Sequence, residues 1–213
     1  MRETLHQFNI YTHILFGSLA MLVGLWPIFT PKGKRKHKRT GKLYLLMVCG
    51  VLVTALFGAL FFNFRPFLFL LTILVFYTSF VGYRTLKLKE RKPEVIDRLV
   101  NVLVFSTVGF YFFLFDIDAA AMSKPVVYAT AFVLLLHVVY DFGKNFYSQQ
   151  WLRRTWLNDH IIRIISSFGG LICAFAGNVL DESYQPYSQI LPSVVGYVLI
   201  AYFIFKFRNY LNP

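Results

Sequence analysis

Seven apolar runs of near-equal length, separated by short connections that alternate between strongly basic and nearly uncharged, constrain this chain more than anything else in its sequence. The runs are about 10–29, 43–62, 67–86, 99–115, 126–142, 158–180 and 190–207. A helix needs roughly 20 apolar residues to cross a bilayer, and only helices or closed barrels can satisfy their backbone groups there. Runs of this length without strict alternation read as helices, not as strands. The expected fold is therefore all-α: a polytopic membrane protein with seven transmembrane helices in one bundle.

The connections fix the expected orientation. Lys32, Lys34, Arg35, Lys36, Lys38, Arg39 and Lys42 fall on one side, with Arg84, Lys87, Lys89, Arg91, Lys92 and Arg98. Lys144, Arg153, Arg154, Lys206 and Arg208 join them, leaving Arg2, Arg65 and Lys124 on the other side. Because basic loops stay in the cytoplasm, the N-terminus is expected outside and the C-terminus inside. This asymmetry accounts for the net charge of +12 without nucleic acid. A chain 57% hydrophobic and 15% charged has no segment that reads as a soluble domain. Arg2, Glu3 and His6 precede a full-length run without a small-residue cleavage site, which reads as a spanning helix and not as a signal peptide. Cys49 and Cys173 lie at different depths and are expected as two buried thiols. The lipid bilayer is the primary partner, and the cluster Lys32–Lys42 could attract anionic headgroups. Gln149–Thr155, with Trp and Leu beside Arg153 and Arg154, is expected along the membrane surface. Pro66, Pro125 and Pro192 should punctuate helix starts.

The sixth run breaks the apolar pattern. His160, Arg163, Ser167, Leu171, Ala174 and Asn178 fall within roughly 80° around a helix axis, and polar groups at membrane depth should face protein or a cavity. In the first run, His13, Gly17, Ala20, Gly24 and Pro27 share one face with small residues that favour close helix packing. Antiparallel packing of these two faces would set His13 near Asn178.

The chemistry these residues could carry stays open. His37, His137 and His160 cluster by expected depth, with Asp141 one turn beyond His137; histidine with carboxylate suits zinc or another divalent metal. His137 and His160 could also ligate one b-type haem between two helices. A coupled pump is disfavoured, because Asp97, Asp116, Asp118, Asp141, Asp159, Asp181 and Glu182 all fall at expected helix ends or loops. Arg163 could pair with Asp159 or Asp141, bind an anionic headgroup, or serve as an inward-facing structural arginine bonded to carbonyls. Ser166, Ser167 and Thr107 sit in helices, without the strand–turn–helix elbow of a serine hydrolase.

Several pieces in order resemble a family of predicted bacterial membrane proteins, domain of unknown function 2306. They are His13-x-x-x-Gly17-x-x-Ala20-x-x-x-Gly24, then His37-Lys-Arg-Thr-Gly41-Lys-Leu-Tyr44, Phe76-Tyr77 and Gly82-Tyr83-Arg84. His160-x-x-Arg163 with Ser167, Ala174-Phe175, Asn178 and Leu191-Pro192 complete the series. The chain departs mildly at Trp26-Pro27 and Ile164, where the family tends to carry Gly-Pro and Met. The resemblance implies a seven-helix protein of the bacterial inner membrane and supplies no agreed activity. Two functional readings follow: a non-catalytic accessory or scaffold subunit of a membrane complex, or a membrane-embedded binding or redox module. The second would hold a haem, metal or amphipathic ligand at His13, His37, His137, His160, Arg163, Ser167 and Asn178.

Overall fold

The computed structural model describes residues 1–114 and 124–208. Among them the chain is helical, with no strand. The helices are α1 (Arg2–Phe29), α2 (Arg35–Phe61), α3 (Pro66–Leu88), α4 (Val95–Leu114), α5 (Lys124–Gly143), α6 (Gln149–Val179) and α7 (Tyr187–Phe207). All seven are long and apolar enough to span a membrane. Phe115, Asp116 and Asp118, which figured in the expected end of the fourth span and its connection, lie outside the described residues.

Most of the helices exceed the apolar runs because polar residues continue the backbone ladder beyond them. The segment expected along the membrane surface, Gln149–Thr155, is instead the start of α6. Ser148 caps it by accepting from the Trp151 N–H at 3.2 Å. At 1.5 Å per residue α6 is about 46 Å long, well beyond the roughly 30 Å apolar core of a bilayer. Asp159 is thereby moved from an expected helix end to the third turn of α6, where it is buried. Pro66 opens α3 as expected, but Pro192 lies inside α7, which begins five residues earlier at Tyr187.

The chain divides into two compact units, Met1–Thr72 and Ile73–Pro213. In the first, α1 packs against α2 through glycines of α2. A Cβ added at Gly50 would lie 2.6 Å from the Phe16 ring, and one at Gly58 would lie 3.0 Å from Asn9 Nδ2. Between these glycines, Thr54 Oγ1 donates to the Gly50 carbonyl at 2.8 Å and lies 2.9 Å from His13 Nδ1. Asn9 donates to the Thr54 carbonyl at 3.2 Å. Small residues at four-residue spacing thus do set a close approach. They include Gly50, Thr54 and Gly58 of α2; on α1 the expected face supplies the buried residues Ala20 and Gly24, although among the described residues an added Cβ at Gly17 would meet nothing within 4 Å.

In the second unit, α6 packs against α7 as well as α3 and α5. Cys173 is buried, and its thiol donates to the Gln189 carbonyl at 3.3 Å. Cys49, expected to be buried, is a free thiol exposed on the outward side of α2. A thiol is apolar enough for a helix face turned away from its packing partner.

Candidate functional site

The polar stripe of α6 meets α3 in an antiparallel register. Ser167 Oγ lies 2.6 Å from Ser79 Oγ. One turn along α3 and two along α6, His160 Nδ1 donates to the Gly82 carbonyl at 2.9 Å. Thr85 then donates to Asp159 at 3.2 Å. Gly82 is the point of closest approach: an added Cβ would lie 2.8 Å from Ile164 Cδ1 and 3.1 Å from Arg163 Cβ. Lacking a side chain, Gly82 lets the two backbones close and leaves its carbonyl open to the imidazole.

Arg163 is the centre of this arrangement, and its side chain is 1% exposed. Its Nη2 lies 2.9 Å from Asp141 Oδ2 on α5 and donates to the His137 carbonyl at 3.2 Å. Its Nε donates to Asp159 Oδ1 at 3.2 Å, one helical turn back. The guanidinium stands over the Tyr77 ring of α3, with Cζ 5.6 Å from the ring centre. Tyr77 in turn donates to Asp141 Oδ2 at 2.5 Å, and its hydroxyl is 2.9 Å from the side-chain oxygen of Asn101 on α4.

Lys144, just past the end of α5, closes the cluster. Its ammonium lies 2.7 Å from Asp141 Oδ1 and also bonds Asp159 Oδ2. Burial disfavours this ammonium, but the two carboxylates beside it hold its pKa above the usual lysine range. Two cations and two carboxylates make the cluster neutral. Burying an uncompensated charge here would cost several kcal/mol, so each member requires the others.

A second ionic set joins α3 to α4. Arg84 grips Asp97 at 2.6 and 2.8 Å and reaches Glu94 at 2.6 Å. Asp97 also accepts from the Glu94 N–H at 2.8 Å and so caps the start of α4.

The sequence-derived candidates therefore separate. Asp159, His160, Arg163 and Ser167 come together on α3 and α5 with Asp141 and the backbone of His137. His13 is bonded within α1 and α2, and His37 Nδ1 donates to the Pro27 carbonyl at 3.2 Å. Asn178, expected to face inward, is exposed near the end of α6, with its amide donating to the Ala174 carbonyl at 2.7 Å. Among the described residues no three His, Cys, Asp or Glu side chains form a group that could hold a metal. The Asp141 carboxylate is occupied by Tyr77, Lys144 and Arg163. Asp141 Oδ1 has its ion pair with Lys144, whereas two other buried atoms of the cluster find no hydrogen-bond partner among the described residues: Arg163 Nη1 and His137 Nε2.

The sequence did not nominate Tyr77, Asn101, Ser79 or Lys144 as site residues. Tyr77, Ser79 and Asn101 were detectable as polar residues inside apolar runs, a pattern that points to an interior-facing position. Lys144 had no such signal, because it reads as one more basic residue of a connection.

A protein-family model described as a predicted membrane protein (DUF2306) matches residues 10–95, the family that the ordered motifs resemble. That stretch spans most of α1, then α2 and α3, and ends where α4 begins. Arg163, Asp159, Asp141 and His137 all lie beyond it. No curated protein and no solved structure matches the chain.

Proposed function

We propose that this seven-helix membrane protein is a non-catalytic accessory or scaffold subunit of a membrane complex, and that its polar stripe serves to join helices. The observation that supports this reading is how the α6 side chains are used. His160, Ser167, Asp159 and Arg163 each bond to α3 or to residues of α5 and its connection. Groups committed to such bonds hold helices in register and leave little capacity for a substrate. In this reading the chain resides in the cytoplasmic membrane of a bacterium, with its N-terminus outside, as the asymmetry of its basic connections favours.

A second reading, a binding module, draws on Arg163 Nη1 and His137 Nε2. Buried polar atoms nearly always have partners, so these two, without one among the described residues, favour a small polar guest beside Arg163. One preparation tests both readings. Protein extracted in mild detergent is examined by absorption spectroscopy, elemental analysis and native mass spectrometry, with His160→Ala and Arg163→Ala alongside. The scaffold reading expects a stoichiometric protein partner, no Soret band and no stoichiometric metal, with both variants accumulating poorly. A Soret band or a metal lost from well-folded His160→Ala would overturn it in favour of the binding module.

A further inference from the structure

The first two turns of α2 carry a feature that joining helices does not explain. Lys34, Arg35, Lys36, Lys38, Arg39 and Lys42 are all exposed. Lys34 is the N-cap residue, without a side-chain cap, and the first turn holds no acidic residue. Cations at a helix N-terminus oppose its dipole, so this start is electrostatically unfavourable as it stands. The ion pairs of the described residues all lie elsewhere in the chain.

Helix geometry sorts these residues. At about 100° per residue, Arg35, Lys38, Arg39 and Lys42 span roughly 100° of arc. The buried residues Tyr44, Val48 and Val51 occupy the opposite side, as does His37, which bonds Pro27 of α1. The basic stripe therefore points away from α1. Farther along α2 the same outward arc carries Leu46, Val53, Leu56, Phe57 and Leu60, all exposed and apolar. One continuous face is thus cationic for two turns and lipophilic for about five.

We propose that this face is a binding site for anionic phospholipid, with the phosphate headgroup at Arg35, Lys38, Arg39 and Lys42 and the acyl chains along the apolar stripe below. The headgroup supplies the negative charge that the helix start lacks, and guanidinium forks suit phosphate oxygens. The apolar continuation selects a lipid over a soluble anion, since free phosphate has nothing to place against Leu46 and Val53. The inference goes beyond the scaffold reading and does not depend on it.

The test is lipid retention by native mass spectrometry, with thermal unfolding of the delipidated protein after adding back phosphatidylglycerol, phosphatidylcholine or inorganic phosphate. Phosphatidylglycerol should bind at least about tenfold tighter than phosphatidylcholine, and the preference should shrink in high salt. The quadruple variant R35Q/K38Q/R39Q/K42Q should lose that preference. A control variant, R35K/K38R/R39K/K42R, keeps the charge and should retain it. Should the glutamine variant fail to insert because the topology signal is gone, the wild-type lipid comparison decides alone. Equal binding of the two lipids, or equal stabilisation by inorganic phosphate, would overturn the proposal.

Discussion

The two units of this chain solve the problem of holding membrane helices together in different ways. Residues 1–72 rely on close approach and neutral hydrogen bonds: Gly50 and Gly58 admit Phe16 and Asn9, and Thr54 ties down His13. Residues 73–213 rely on buried charge, with Arg163, Lys144, Asp141 and Asp159 balanced inside α3, α5 and α6. The contrast shows that polar residues in a spanning helix carry very different weights. A neutral interhelical bond contributes about 0.6 kcal/mol on average, because alternative partners exist in the unfolded chain. One member of a buried ionic set cannot be removed without stranding the others.

Deleting one charge should separate the two units most strongly. Arg163→Ala leaves two carboxylates facing one ammonium and should destabilise the protein by about 3–5 kcal/mol in reversible unfolding in detergent or bilayer. A loss below about 1 kcal/mol would put the network on a par with the neutral bonds of the first unit. Overpacking comes next. Gly82→Ala and Gly50→Ala should each cost about 1–3 kcal/mol, because neighbours already stand where the methyl group would go. Gly17→Ala, which meets nothing within 4 Å, should be neutral or mildly stabilising by the same measurement. His13→Ala should cost less than about 1.7 kcal/mol, the ceiling for neutral membrane hydrogen bonds. The smallest effect is expected at the α6 cap, where Ser148→Ala should cost about 1 kcal/mol and increase amide exchange in the first turn.

The helices and the site differed in how far the sequence disclosed them, for identifiable reasons. Bilayer thickness imposes a length on every apolar run, so the seven helices could be counted directly. Their ends could not, because Gln149–Trp156 and Arg35–Lys42 are too polar to read as part of an apolar run while their backbones stay helical. The pairing of Arg163 with Asp159 follows from one-turn spacing, and Asp141 was its other nominated partner. Placing Tyr77, Asn101 and Lys144 beside them required knowing which helices are neighbours, which spacing within one helix does not encode. The small-residue face expected on α1 does hold that helix's buried residues, Ala20 and Gly24, while the opposing glycines Gly50 and Gly58 of α2 are the ones that meet Phe16 and Asn9 closely. A glycine marks only permission for close approach, and the opposing side chain decides whether it is used.

A double-mutant cycle between Asp141 and Arg163 asks directly whether the buried charges act together. Asp141→Asn, Arg163→Gln and the double variant would be compared by reversible unfolding. If the buried charges join the helices as a unit, each single variant is strongly destabilised and the double variant recovers at least 1 kcal/mol of the summed loss, within the range of measured coupling energies. Additivity within about 0.5 kcal/mol would contradict that, and would mean Arg163 is held for some purpose other than its carboxylates.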